Sequence, residues 1–81
     1  MKLESTINYK VKPTHPDIDC MSDWYEGKEY SYKDIYTINP QYFEGENDIY
    51  EYIKEDLLLI AGGGYDWGNI YDVKFDIKEV K

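Results

Sequence analysis

The sequence predicts an α+β fold: a small antiparallel or mixed β-sheet, in the order β-β-α-β, with one α-helix packed on one face. Three observations lead there. Two segments near the ends, Leu3 to Val11 and Tyr71 to Ile77, alternate apolar and polar residues with a period of two. Apolar residues between Asp48 and Ala61 recur at helical spacing. The segments between these runs are rich in glycine, proline and short polar side chains, which interrupt regular structure.

The first strand sets Leu3, Ser5, Ile7, Tyr9 and Val11 on one face and Lys2, Glu4, Thr6, Asn8, Lys10 and Lys12 on the other, and Pro13 ends it. The segment PTHPDIDCMSDWYEGK carries two prolines, so an irregular connection follows, with a short extended piece expected around Asp23 to Glu26. A second strand places Tyr30, Tyr32, Tyr36 and Ile38 on one face and Glu29, Ser31, Lys33 and Thr37 on the other. Asp34 and Ile35 break the alternation, and a bulge is expected there.

The loop QYFEGEN leads to Asn47, expected as the N-cap of a helix from Asp48 to Ala61, with Asp48 and Glu51 in the first turn where the helix dipole favours acids. On a helical wheel, Ile49, Tyr50, Ile53, Leu57, Ile60 and Ala61 form the core face. Asp48, Glu51 and Glu55 cluster opposite, bordered by Tyr52, Leu58 and Leu59. In the last strand Tyr71, Val73, Phe75 and Ile77 alternate with Asp72, Lys74, Asp76 and Lys78. A sheet with one apolar face needs one cover, and the helix supplies it, leaving the other face polar and wet.

The 81 residues form a single domain, 1–81, near the size at which burial only just offsets chain entropy. No run approaches the roughly 20 apolar residues that span a bilayer, and MKLESTINYK lacks the apolar centre of a signal peptide, so a soluble, cytoplasmic chain is expected. The single cysteine, Cys20, excludes an internal disulfide and reads as a buried small hydrophobe.

Charge is the most informative part of the composition. The net charge is −8, and His15 to Asp56 carries 12 acids against 3 lysines. Arginine is absent, which argues against direct nucleic-acid binding, and anionic membranes would repel the chain.

Four candidate sites follow from the residues. LLLIAGGGYDWGN, residues 57–69, places its glycines after the helix, so carbonyls and the negative dipole end would meet a phosphate; a phosphate loop needs the reverse order. Gly62 or Gly63 is expected as the left-handed cap, and Tyr65, Asp66 and Trp67 as either a contact loop or a turn that plugs the core.

His15, Asp17, Asp19, Cys20 and Asp23 are the densest potential metal ligands, but Met21, Ser22 and Lys28 stand where a calcium loop needs a ligand, glycine and an acid. No metal and no cofactor is expected. His15 is the only histidine, and no triad or oxyanion motif accompanies it, so no catalytic residue is assigned.

The fourth candidate is an acidic, aromatic surface: Asp17, Asp19, Asp23, Trp24, Tyr25, Glu26, Glu44, Glu46, Asp48, Glu51, Tyr52 and Glu55, with Glu29, Tyr42 and Phe43 beside them. Helical carboxylates three and four residues apart lie about 5 to 6 Å from each other at Cβ, comparable with successive phosphates. Such a line can occupy lysine and arginine sites built for a nucleic-acid backbone, and neighbouring rings can stack on arginine.

In its length, its acidic middle, its lack of arginine and its Lys/Ile/Tyr/Asn/Asp/Glu-rich vocabulary, the chain resembles the small acidic proteins with which phages and mobile elements disable host defences, the anti-CRISPR and anti-restriction inhibitors. The resemblance is one of composition. It implies a non-enzymatic inhibitor that blocks a basic nucleic-acid-binding host protein, in some cases by mimicking nucleic acid, in the host cytoplasm; the sequence leaves the oligomeric state open, a homodimer included. A toxin-neutralising immunity protein or antitoxin would use the same features, and a small metal-dependent enzyme built on His15, Asp17 and Asp19 is the third reading.

Overall fold

The computed structural model describes residues 1–21, 23–63 and 67–80. Its elements are β1 (Lys2–Val11), β2 (Glu29–Thr37), α1 (Glu46–Ala61) and β3 (Ile70–Glu79), with short 3-10 turns at Ile18–Cys20, Pro40–Tyr42 and Trp67–Asn69. The strands form one antiparallel sheet in the order β2-β1-β3, and α1 lies between β2 and β3 in sequence. This is the expected α+β architecture.

β1 is the central strand, and its period-two pattern gives it one buried face. Leu3, Ser5, Ile7, Tyr9 and Val11 are all buried, and their register sets Tyr36, Asp34, Tyr32 and Tyr30 of β2 on the same face. Across β1, Ile77 and Phe75 oppose Ser5 and Ile7, and Ile70 opposes Val11. From α1, Ile49, Ile53, Leu57 and Ala61 complete the core. A fully buried Ile or Leu side chain contributes about 1.5–3 kcal/mol, so this row supplies most of the drive for the helix to lie on the sheet. Ser5, at the centre, donates its hydroxyl to the Leu3 carbonyl at 3.3 Å.

The irregularity expected in β2 lies instead in β3. The β1–β2 ladder runs without interruption from Lys2↔Thr37 to Lys10↔Glu29, with Ile35 turned to the outer face and 54 % exposed. The β1–β3 register shifts between Asn8 and Lys10, and Asp72 takes φ 50°. That extra residue moves Tyr71 out of the core row, and Ile70 takes the buried place. An aspartate tolerates the left-handed conformation better than most residues, and Lys10 holds its carboxylate at 3.0 Å.

The helix begins earlier than expected. Gly45, not Asn47, is the N-cap, and Ile49 N–H donates to the Gly45 carbonyl at 3.3 Å. Ile60, placed in the core row by the wheel, is 43 % exposed, because the sheet covers a narrower stripe than the apolar arc. The connection between β1 and β2 holds a 3-10 turn and hydrogen-bonded turns at Met21–Trp24 and Tyr25–Lys28, not an extended piece at Asp23 to Glu26. Cys20 is exposed, contrary to its expected burial, since this connection runs over the surface.

Candidate functional site

The two faces of the protein differ in charge. On the uncovered face of the sheet, Lys2, Lys10, Lys33, Lys74 and Lys78 stand among Glu4, Glu29 and Asp76. Glu4 accepts from Lys33 at 2.7 Å, with Lys78 at 3.8 Å. The Lys33 ammonium holds the Glu4 carboxyl below the usual carboxylate range. The helix segment is the opposite case: residues 41–61 carry six acids and a single lysine, with Glu51 and Glu55 on the side turned from the sheet. Among the described residues, the ion pairs are those of Glu4 and Asp72, and none reaches Glu44, Glu46, Asp48, Glu51 or Glu55.

Helical geometry explains the stripe. With Ile49, Ile53 and Leu57 against the sheet, residues two positions on, Glu51 and Glu55, point to solvent, and Asp48 falls beside them. Glu46 and Asp48 occupy the first turn, where the unpaired N–H groups and the dipole favour acids, so local structure tolerates this density of negative charge. Aromatic rings adjoin it. Tyr42 is 83 % exposed, and Tyr52, also exposed, is tilted against Phe43 with ring centroids 5.6 Å apart. The side of the helix toward β2 carries Asp56, which accepts from the Tyr36 hydroxyl at 2.5 Å; burial, then this carboxylate, pushes the phenol well above its usual range.

The structure separates the acids of the β1–β2 connection from those of the helix start. His15, buried, lies against the helix C-terminus: its Nε2 is 2.7 Å from the Ala61 carbonyl, and Nδ1 accepts from Asp17 N–H at 3.0 Å. This pairing assigns the neutral ring with its proton on Nε2. Asp17, Asp19, Asp23 and Glu26 are therefore held near the end of α1, whereas Glu44, Glu46 and Asp48 lie at its start. Ala61 and Asp48 are about 20 Å apart by the helical rise. The protein measures 41 × 23 × 19 Å, and the two acidic groups are distributed along it rather than gathered into one cleft.

Two aromatics of the connection have different roles. Trp24 is half-buried at the core margin and donates its indole N–H to the Val11 carbonyl at 3.1 Å. Tyr25 is 62 % exposed, with Lys28 Nζ 5.8 Å from its ring centroid. Both nitrogens of His15 are engaged within the chain, which leaves neither free to ligate a metal in this arrangement. Among the described residues no group of three or more His, Cys, Asp or Glu side chains is placed to hold a metal ion.

At the helix end, Gly62 is the cap residue at φ −81°, and Gly63 takes the left-handed conformation at φ 82°. Of the contact loop, Tyr65 and Asp66 lie outside the described residues, as does the side chain of Trp67. Among the described residues no helix is long and apolar enough to cross a membrane.

Sequence reasoning located the acidic stripe through charge and helical phase. It did not single out the pairing of Tyr36 with Asp56, which joins residues twenty positions apart and has no local signal. No family model matches the chain, and neither a curated protein nor a solved structure matches it.

Proposed function

We propose that this protein is a small acidic inhibitor, of the kind phages deploy against host defences, that binds a basic nucleic-acid-binding protein through the solvent side of α1 and competes with its nucleic acid. The observation that carries the reading is the row Asp48, Glu51 and Glu55 on the solvent side of α1, with Glu44 and Glu46 exposed at the helix start; none has a lysine partner among the described residues, and exposed Tyr42 and Tyr52 adjoin them. Unneutralised carboxylates at helical spacing attract an opposing line of lysine and arginine at long range, and the rings supply apolar area and stacking on guanidinium once contact is made. Neutralising such a row within the fold would have taken a few lysines at i+4, and the helix has only Lys54.

The testing experiment is competition. The protein is immobilised, a host lysate is passed over it, and retained proteins are eluted with rising salt and identified. The purified partner is then bound in the presence of increasing duplex DNA. The reading expects release by moderate salt and displacement by DNA; a partner that binds DNA and inhibitor together would overturn mimicry, and failure of CRISPR or restriction components to bind at all would overturn the anti-defence assignment. A partner that proves to be a toxin would move the assignment to an immunity protein.

A further inference from the structure

The sheet has two open edges, and the chain treats them differently. On β2, Ile38 N–H donates to the Met1 carbonyl, so by the alternation of an antiparallel ladder Tyr36, Asp34, Tyr32 and Tyr30 direct their backbone groups to β1, and Ile35, Lys33 and Ser31 direct theirs outward. The outward N–H of Ile35 is taken by the Asp34 carboxylate at 2.8 Å. A two-fold pairing of this edge about Lys33 would oppose that lysine with its own copy. An edge charge and a side-chain cap of this kind protect a strand from further pairing.

On β3, Val80 N–H donates to the Lys2 carbonyl, so Lys78, Asp76 and Lys74 turn their backbone groups to β1, and Ile77, Phe75 and Val73 turn theirs to the open side. The side chains of these three residues are half-buried on the helix face. Tyr50, Lys54, Phe75 and Ile77 line an open groove of about 190 Å³ between α1 and this edge. On the opposite face Lys74 and Asp76 are exposed, two residues apart and of opposite sign.

We propose that β3 pairs antiparallel with β3 of a second copy of this chain, across a two-fold axis at Phe75. In that register Phe75 meets Phe75 of the second copy, Val73 meets its Ile77, and Lys74 meets its Asp76, each of the last two occurring twice by symmetry. The strand side chains that meet on the helix face are then all apolar, with the Lys54 ammonium 5.8 Å from the Phe75 ring centroid, and the outer face pairs only opposite charges. Neighbouring registers lack this match. An axis at Asp76 opposes Asp76 with itself and Lys74 with Lys78; one at Lys74 opposes Lys74 with itself and Asp72 with Asp76; one at Ile77 sets Phe75 against Glu79.

The three-stranded sheet is doubled, both helices lie on the same face, and the grooves lined by Tyr50 and Lys54 flank the paired Phe75 rings. The bulge at Asp72 ends the pairing on one side. A two-fold interface of this type is self-complementary and closed, so it stops at a dimer, and the guarded β2 edge does not extend it.

The test is the mass in solution, by sedimentation equilibrium, of the full chain and three variants. The unmodified protein is expected at twice the chain mass, with association that tightens as salt screens the −8 charge of each copy. Binding of a basic partner to the acidic stripe should respond to salt in the opposite sense. Lys74→Asp alone opposes carboxylates at both symmetric contacts, and Asp76→Lys alone opposes ammonium groups; each is expected to weaken the dimer at least about ten-fold.

The double variant Lys74→Asp/Asp76→Lys should return to within about three-fold of the original, since it restores opposite charges. Mixing the two single variants should form a heterodimer that neither forms alone. Circular dichroism confirms that each variant is folded. A monomer at every concentration, a dimer indifferent to the single changes, or a double variant without rescue would overturn the proposal.

Discussion

The His15 imidazole donates through Nε2–H to the carbonyl oxygen of Ala61 at 2.7 Å and accepts through Nδ1 from the backbone N–H of Asp17 at 3.0 Å. One side chain thus satisfies a carbonyl in the last turn of α1 and closes the turn of the connection that follows β1. The last four carbonyls of a helix have no intrahelical partner, and here the partner comes from 46 residues away in sequence. His15→Ala removes a fully packed ring and leaves both backbone groups without this partner. A loss of about 2–3 kcal/mol in urea unfolding is expected, together with earlier amide exchange in the connection. Unchanged stability would show that the bond does not hold the two segments together.

Gly63 is constrained by the same contact. At φ 82°, a Cβ there would come within 2.5 Å of the Pro16 ring and 3.3 Å of His15 Cε1. Gly63→Ala should therefore cost at least about 2 kcal/mol, from the left-handed backbone and from overpacking. Gly45 is the control. It is extended, a Cβ there meets nothing within 4 Å, and it caps the helix without a side-chain hydrogen bond. Gly45→Ser should raise stability by about 0.5 kcal/mol, read as a higher urea midpoint.

The Tyr36–Asp56 pair adds to the protein's sensitivity to alkali. Burial and the neighbouring carboxylate raise the Tyr36 hydroxyl above its ordinary range, and Tyr9 and Tyr32 are raised as well, chiefly by burial. A raised pKa in the folded state means that the unfolded chain releases its proton first. The contribution of these tyrosines to stability is complete below about pH 10 and falls as the pH climbs past that value. Tyr36→Phe should cost about 1 kcal/mol at neutral pH, the low end because the pair is half exposed, and should lessen the further loss between pH 9 and pH 11. Urea titrations across that range provide the measurement; an unchanged slope would remove Tyr36 from the explanation.

The acidic stripe is tested by sign reversal. Glu51→Lys with Glu55→Lys should weaken the partner complex more than about ten-fold at low salt, with a smaller difference at high salt and with the melting temperature nearly unchanged. Both side chains are exposed and neither forms an ion pair among the described residues, so the fold has no need of their charge. Equal affinity for the reversed protein would move the contact elsewhere on the surface.

Much of this architecture was legible in local sequence, because period and burial are local properties. The alternation of β1 and the helical phase of Ile49, Ile53 and Leu57 identify the faces that the core covers. The errors came where a distant contact outweighed a local preference. Asp34 and Ile35 break an alternating pattern, yet the β2 ladder stays in register, with Asp34 opposite Ser5 and its carboxylate accepting from the outward N–H of Ile35. Asp72 sits in a pattern with no visible break, and there the chain bulges to bring Ile70 opposite Val11 and a carboxylate to Lys10. Asn47 has the chemistry of a cap, but Gly45 is where the extended chain turns.

The sequence by itself determined the class of fold, the two faces of the helix and the separation of charge between a lysine-bearing strand surface and an acidic middle, since each follows from residue type and period. Only the tertiary structure decided that β1 is central, that the acids of the connection and of the helix start lie at opposite ends of α1, that His15 closes the helix instead of standing open to a ligand, and that one sheet edge is guarded while the other is not. The physical reason is that strand order, cross-chain hydrogen bonds and edge exposure depend on which distant segments meet, and a one-dimensional pattern carries their chemistry without their partners.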